Sequence, residues 1–131
     1  MNQTTAPAIT SANPLLDFSG LPRFDAIRPE QVQPAITQLL QEAQAALDET
    51  TQPDFPADWQ RLSATLDVAT ERLGRAWGAV GHLKSVCDTP ELRAAFHAML
   101  PAVTGVFTAL GASGQLYAKY KAIDPSTLDT E

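Results

Sequence analysis

Large apolar residues recur along WQRLSATLDVATERLGRAWGAVGHLKSVC at Trp59, Leu62, Leu66, Leu73, Trp77, Val80, Leu83 and Cys87, with Ala69 filling the one gap. Steps of three and four put them on one face of an α-helix, and the pattern predicts a single long helix from about Ala57 to Val86. Both tryptophans fall on that face, so neighbouring helices are expected against Trp59 and Trp77. Gly74, Gly78 and Gly81 lie four and three apart on the same rod. Each costs about 1 kcal/mol relative to alanine in a helix interior. Two readings account for them: close approach of a neighbouring helix or of the N-terminal segment, or a bend at the glycines.

The same rhythm flanks this rod on both sides. Pro29 and Glu30 suit a first helical turn, and Pro34 predicts a short turn at 30–33 followed by a helix from Pro34 to about Glu49. Its buried face carries Ile36, Leu39, Leu40, Ala43 and Leu47, while Gln38, Gln41, Glu42 and Gln44 meet water. TTQPDFP reads as a loop, with Pro56 opening the next helix. Downstream, Asp88 and Thr89 are N-cap candidates ahead of Pro90 and Glu91. The helix they start is expected to bury Leu92, Phe96, Met99, Leu100, Val103, Phe107 and Leu110, with a kink near Ala98 to Leu100 where the ring of Pro101 meets the preceding turn. Gly111, Ser113 and Gly114 interrupt it before a last amphipathic turn or two, LYAKYKAI, and Pro125 ends the order.

Ahead of all the helices, NPLLDFSGLPRFDAIRP sets Leu15, Leu16, Phe18, Leu21, Phe24 and Ile27 between prolines and a glycine, too broken for a long helix but rich in apolar contacts. It reads as an extended arm lying in a groove on the helices. The expected fold is therefore all-α, an antiparallel helical bundle with an extended N-terminal arm. Residues 1–12 are expected to be disordered, 13–125 to form one helical domain and 126–131 to be a disordered tail.

Composition narrows the function classes. With 131 residues the chain fits one domain, and 44% hydrophobic against 18% charged residues is a globular balance. Nine basic residues are scattered among fifteen acidic ones, for a net charge of −6, which argues against nucleic acid and anionic membrane surfaces. MNQTTAPAITSANP has neither the basic nor the apolar region of a secretory signal, and no later segment is expected to span a bilayer. Cys87 is the one cysteine, so a reducing, cytoplasmic setting is the simplest expectation.

Candidate chemistry is sparse. A zinc helix of the HExxH kind needs two imidazoles one turn apart and an adjacent glutamate. His82 has Leu83 next to it and Val86 four positions on; His97 has Ala98 and Pro101. Both histidines are read as structural. With no second cysteine for a redox pair, Cys87 is read as a buried structural thiol. Asp67 and Glu71 resemble paired carboxylates, but Arg75 continues the row, giving an exposed charged ladder. Lys119 and Lys121 beside Tyr117 and Tyr120 are too few cations for a phosphate backbone. No catalytic, cofactor-binding or metal-ligating residue is assigned to this chain.

Three blocks carry a resemblance. NPLLDFSGLPRFDAIRPEQVQPAI (13–36), ERLGRAWGAVGHLKSV (71–86) and TPELRAAFHAMLP (89–101) together resemble the N-terminal region of the bacterial oligopeptidase A group, within the thimet oligopeptidase and neurolysin family of zinc metallopeptidases. The resemblance implies a much longer, mostly helical protein, of which this chain is a fragment, with a deep channel for short unfolded peptides. It also implies a zinc ion held by an HExxH helix in the C-terminal half, outside this sequence. The role carried over to this chain is scaffold and channel wall, with the catalytic half of the same protein as partner and short peptides as substrates, the fragment itself being inactive. Leu116, Tyr117, Tyr120 and Ile123 have few obvious partners, so the fragment is expected to expose apolar surface and to self-associate. The alternative reading is a stand-alone acidic helical module that binds a partner helix or peptide beside the glycines.

Overall fold

The computed structural model describes residues 13–128; the expected disordered stretch 1–12 and residues 129–131 of the tail lie outside the described residues. All regular structure among them is helical, as the periodicity predicts. The arm, residues 13–28, contains two 3₁₀ turns, Pro14–Leu16 and Phe24–Ala26. Then come α1 (Pro29–Thr50), α2 (Trp59–Leu62), a π-helical turn (Ser63–Asp67), α3 (Val68–Val86), α4 (Pro90–Ala112) and α5 (Gly114–Lys121). A final 3₁₀ turn, Pro125–Thr127, shows that Pro125 opens a further turn instead of ending the order.

Most helix starts are set by side-chain caps. Asp58 accepts from the N–H of Arg61 at 2.9 Å, Thr89 from Leu92 at 3.2 Å and Ser113 from Leu116 at 3.1 Å, each satisfying a donor that the helix cannot. The second helix thus starts at Trp59, and Pro56 remains in the loop. At α1 the Gln31 side chain accepts from the N–H of Arg28 at 2.8 Å, and the helix runs unbroken through Pro34. The expected restart at Pro34 does not occur. The carbonyl that Pro34 leaves without a helical partner is that of exposed Glu30, in the first turn, where water can serve it.

The arm, α1, α3 and α4 share one core. Val32, Ala35, Ile36 and Ala43 of α1 are fully buried, and Leu15 and Ile27 of the arm, Leu73 and Val80 of α3, and Met99 and Val103 of α4 close around them. Trp77 stacks on Phe96 with ring centroids 4.5 Å apart and 12° between planes. Leu40, expected inside, packs at the edge of this cluster. Thr50, a buried polar residue, satisfies its hydroxyl by donating to the carbonyl of Ala46 at 2.8 Å.

A second cluster closes the far end. Ala46 and Leu47 of α1 meet Leu66 in the π-helical turn and Leu116 of α5, flanked by Leu110 and Tyr120. The N-terminal halves of α1 and α4 meet where Ala95 faces the groove of Pro29, Pro34 and Thr37. Consecutive long helices therefore run up, down and up, antiparallel to their neighbours in sequence, with α1 and α4 side by side.

Several expected anchors lie elsewhere. Trp59 is 48% exposed, because it is the first residue of its helix, where Tyr120 of α5 covers it from 6.1 Å. Leu100 and Phe107, assigned to the buried face of α4, are 36% and 42% exposed. Leu116, expected to lack partners, is buried. The helix does not break at its glycines: α3 is continuous, and the departure from α geometry comes earlier, at Ser63–Asp67. Close packing explains one glycine at most. A Cβ on Gly81 would meet the Phe96 ring at 3.8 Å, whereas Gly74 and Gly78 face open space.

Candidate functional surface

The arm is held to the helices by chemistry of three kinds. Asn13 accepts from the N–H of Leu15 at 3.1 Å and donates to the carbonyl of Gln31 at 3.0 Å, which fixes the first turn of the arm to α1. Leu15 is buried between α1 and α3. The guanidinium groups of Arg72 and Arg75 lie 5.5 and 5.9 Å from the centre of the Phe18 ring, within cation–π range. Asp17 accepts from the hydroxyl and N–H of Ser19, and these bonds first, with Arg23 nearby, hold its carboxyl below the usual aspartate range.

Residues singled out for chemistry turn out to be dispersed. His82 packs its ring on Phe24 at 5.1 Å, and His97 meets the Phe96 ring edge-on at 5.6 Å; both are exposed on different helices. Cys87 is exposed, contrary to the expectation of a buried thiol. The helical face that predicted its burial ends at Val86, and Cys87 is the first residue past the last turn. Nor does the charged ladder form: Arg75 turns to Phe18, and the ion pairs among the described residues are Arg23 with Asp17 and Arg93 with Asp88. Among the described residues no group of three or more His, Cys, Asp or Glu side chains could hold a metal.

Two polar anchors went unnoticed in the sequence. Lys119 of α5 donates to the carbonyls of Gln52 and Phe55, at 2.9 and 2.6 Å, closing the loop after α1 from 67 and 64 residues away. That role removes it from any cationic patch. Asp88 accepts from Nε and Nη2 of Arg93, at 3.1 and 2.6 Å, beside the start of α4; these bonds hold its carboxyl below the usual range.

The remaining feature of note is a surface. From Ala94 to Ala112 α4 carries no Asp, Glu, Lys or Arg, yet only Leu92, Met99 and Val103 of its 23 residues are buried. By length and composition α4 is apolar enough to cross a membrane, which the sequence reading did not anticipate. One such helix is weak grounds for a membrane. Its neighbour α1 presents Gln33, Gln41, Asp48 and Glu49 outward, amides and charges that are costly to place in hydrocarbon.

This arrangement has the character of a building block: an ordered core and one long uncharged face. Comparison with known proteins gives the block a family. The profile of the neurolysin/thimet oligopeptidase N-terminal domain matches residues 36–130. The chain belongs to the neurolysin/thimet oligopeptidase family. Oligopeptidase A of Haemophilus influenzae is 36% identical over 119 residues, which is 90% of this chain and 17% of that protein. A probable cytosolic oligopeptidase A of Arabidopsis thaliana is 39% identical over 116 residues, 88% of this chain and 16% of its own length. A chloroplastic and mitochondrial oligopeptidase A of the same plant is 40% identical over 116 residues, 14% of its length. The neurolysin/thimet-type chain thus spans about one-sixth of the length of these curated relatives.

Proposed function

We propose that the chain is the N-terminal scaffold and channel-wall region of a zinc-dependent oligopeptidase that hydrolyses short peptides in the cytoplasm, and that it does not hydrolyse peptides alone. The observation that carries this reading is the identity of 36–40% to three oligopeptidases A over 88–90% of the chain. The described residues do not fit a zinc site, and in this reading the metal and the water it would activate are held by the remainder of the polypeptide. What this region contributes is rigidity. Its arm is pinned by Asn13, Leu15 and Phe18, and a fixed wall keeps a bound peptide in one orientation relative to chemistry performed elsewhere.

The test is hydrolysis of a quenched fluorescent peptide of about ten residues by the complete polypeptide and by residues 1–131 alone. Chelator-sensitive cleavage by the complete polypeptide and none by residues 1–131 is the expected result. Cleavage by residues 1–131 unaided, or an inert complete polypeptide, overturns the proposal. A stand-alone helical interaction module is the second reading, favoured by the open face at Gly74 and Gly78. It requires residues 1–131 to capture a helical peptide on that face, lost on Gly78→Arg.

A further inference from the structure

Water-facing helix surfaces normally carry charge, and α1 follows that rule with Glu30, Glu42, Asp48 and Glu49 on its outer side. The outer side of α4 breaks it. Opposite the seam of Leu92, Met99 and Val103 run Ala94, Ala98, Pro101, Gly105 and Ala112, all exposed, and on one flank Leu100 and Phe107 stand a heptad apart. The uncharged stretch from Ala94 to Ala112 is roughly 28 Å long at 1.5 Å per residue. Uncharged, of helix length and polar only at His97, Thr104 and Thr108, it is the kind of surface on which another helix packs, since its alanines and glycine let two axes approach to about 8 Å.

We infer that the outer face of α4 is the surface on which the remainder of the same polypeptide docks. This inference rests on the reading of the chain as the N-terminal region of a longer oligopeptidase. Two observations select that occupant. A face roughly 28 Å long on a helix about 10 Å across offers about 300 Å² to a partner, short of the roughly 800 Å² per side that specific, stable complexes bury, so a free second copy is poorly served. A covalently joined partner meets the face at millimolar effective concentration and needs no such area. The second observation is length: the relatives carry more than four-fifths of their chain outside the region matched here, ample polypeptide to cover it. The absence of charge then has a physical reason, because a lysine or glutamate on this face would be buried unpaired at the junction.

The experiment compares two cysteine variants of the complete polypeptide in a Cys87→Ser background. Ala98→Cys probes the outer face of α4, and Ala45→Cys, also exposed, on α1, is the control. Maleimide labelling of native protein is expected to be at least tenfold slower at position 98 than at position 45, at every protein concentration. Equal rates overturn the inference. So does protection that appears only at high protein concentration, which marks a second copy, or only with neutral phosphatidylcholine vesicles, which marks a membrane. The readout does not involve peptide cleavage, so an inactive polypeptide with a protected position 98 refutes the proposed function and keeps the docking face.

Discussion

α1 and α4 have nearly the same length and lie side by side, yet they use their apolar residues in opposite ways. α1 buries eight of its 22 residues, four of the core positions completely, although glutamines and acids make up much of its sequence. α4, free of charge for most of its 23 residues, buries three. Burial follows from having a partner on each side, and α1 has the arm, α3, α4 and the second cluster around it. α4 has one occupied side. The apolar content of a helix therefore measures what it can bury, while its neighbours in the same chain decide what it does bury.

The largest effect should separate the two helices directly. Ile36→Ala empties a fully buried site and is expected to cost about 2–5 kcal/mol, whereas Phe107→Ala, already 42% exposed, should cost residues 1–131 under about 1 kcal/mol. Urea unfolding of both variants checks the pair, and equal losses would break the comparison. A smaller effect asks whether the hold on α1 extends past its C-terminus. Lys119→Met removes both bonds to the loop carbonyls and should cost about 1 kcal/mol, the usual range for charged donors being discounted for the exposed setting. A melting temperature unchanged by Lys119→Met would restrict that hold to the apolar contacts of Leu116. Smallest of all is a pH effect at the start of α4. Hydrogen bonds from Arg93 lower the Asp88 pKa in the folded state, so their stabilisation is present above the ordinary aspartate value of about 3.9 and is lost as pH falls through the folded value. Thermal melts between pH 6 and 2 should show a slightly steeper acid loss than those of Asp88→Asn, and parallel curves would remove the ion pair from the account of α4.

Much of the fold was legible from local chemistry. Thr89, Pro90 and Glu91 announce a helix start through a hydroxyl cap, a ring with nothing to donate and an acid at the positive end of the dipole, and α4 begins there. The misplaced apolar anchors share a cause. Periodicity says which residues share a face, and it includes Trp59 and Cys87, which sit at the two ends of the rod where neighbours run out. It likewise assigned Leu100 and Phe107 to a core without knowing whether this chain supplies one on that side. The π-helical turn left no signature, since Leu62 and Leu66 suit either geometry. The residues flanking His82 and His97 can be compared with a motif of fixed spacing, but the Lys119 clamp joins positions 67 residues apart and no spacing rule reaches that far.

Leu15, Ile27, Val32 and Ala35 all precede residue 36, where the family profile begins, and all four belong to the main core. Trimming a gene to the profile's limits would therefore cut away the arm and nearly two turns of α1. Ala76 and Ala79, which line one pocket with Leu15, Phe18 and Ile27, would lose that cover. The main core reaches back to Leu15 and Asn13 bonds to α1, so expression boundaries for this protein are better drawn from its packing than from its alignment.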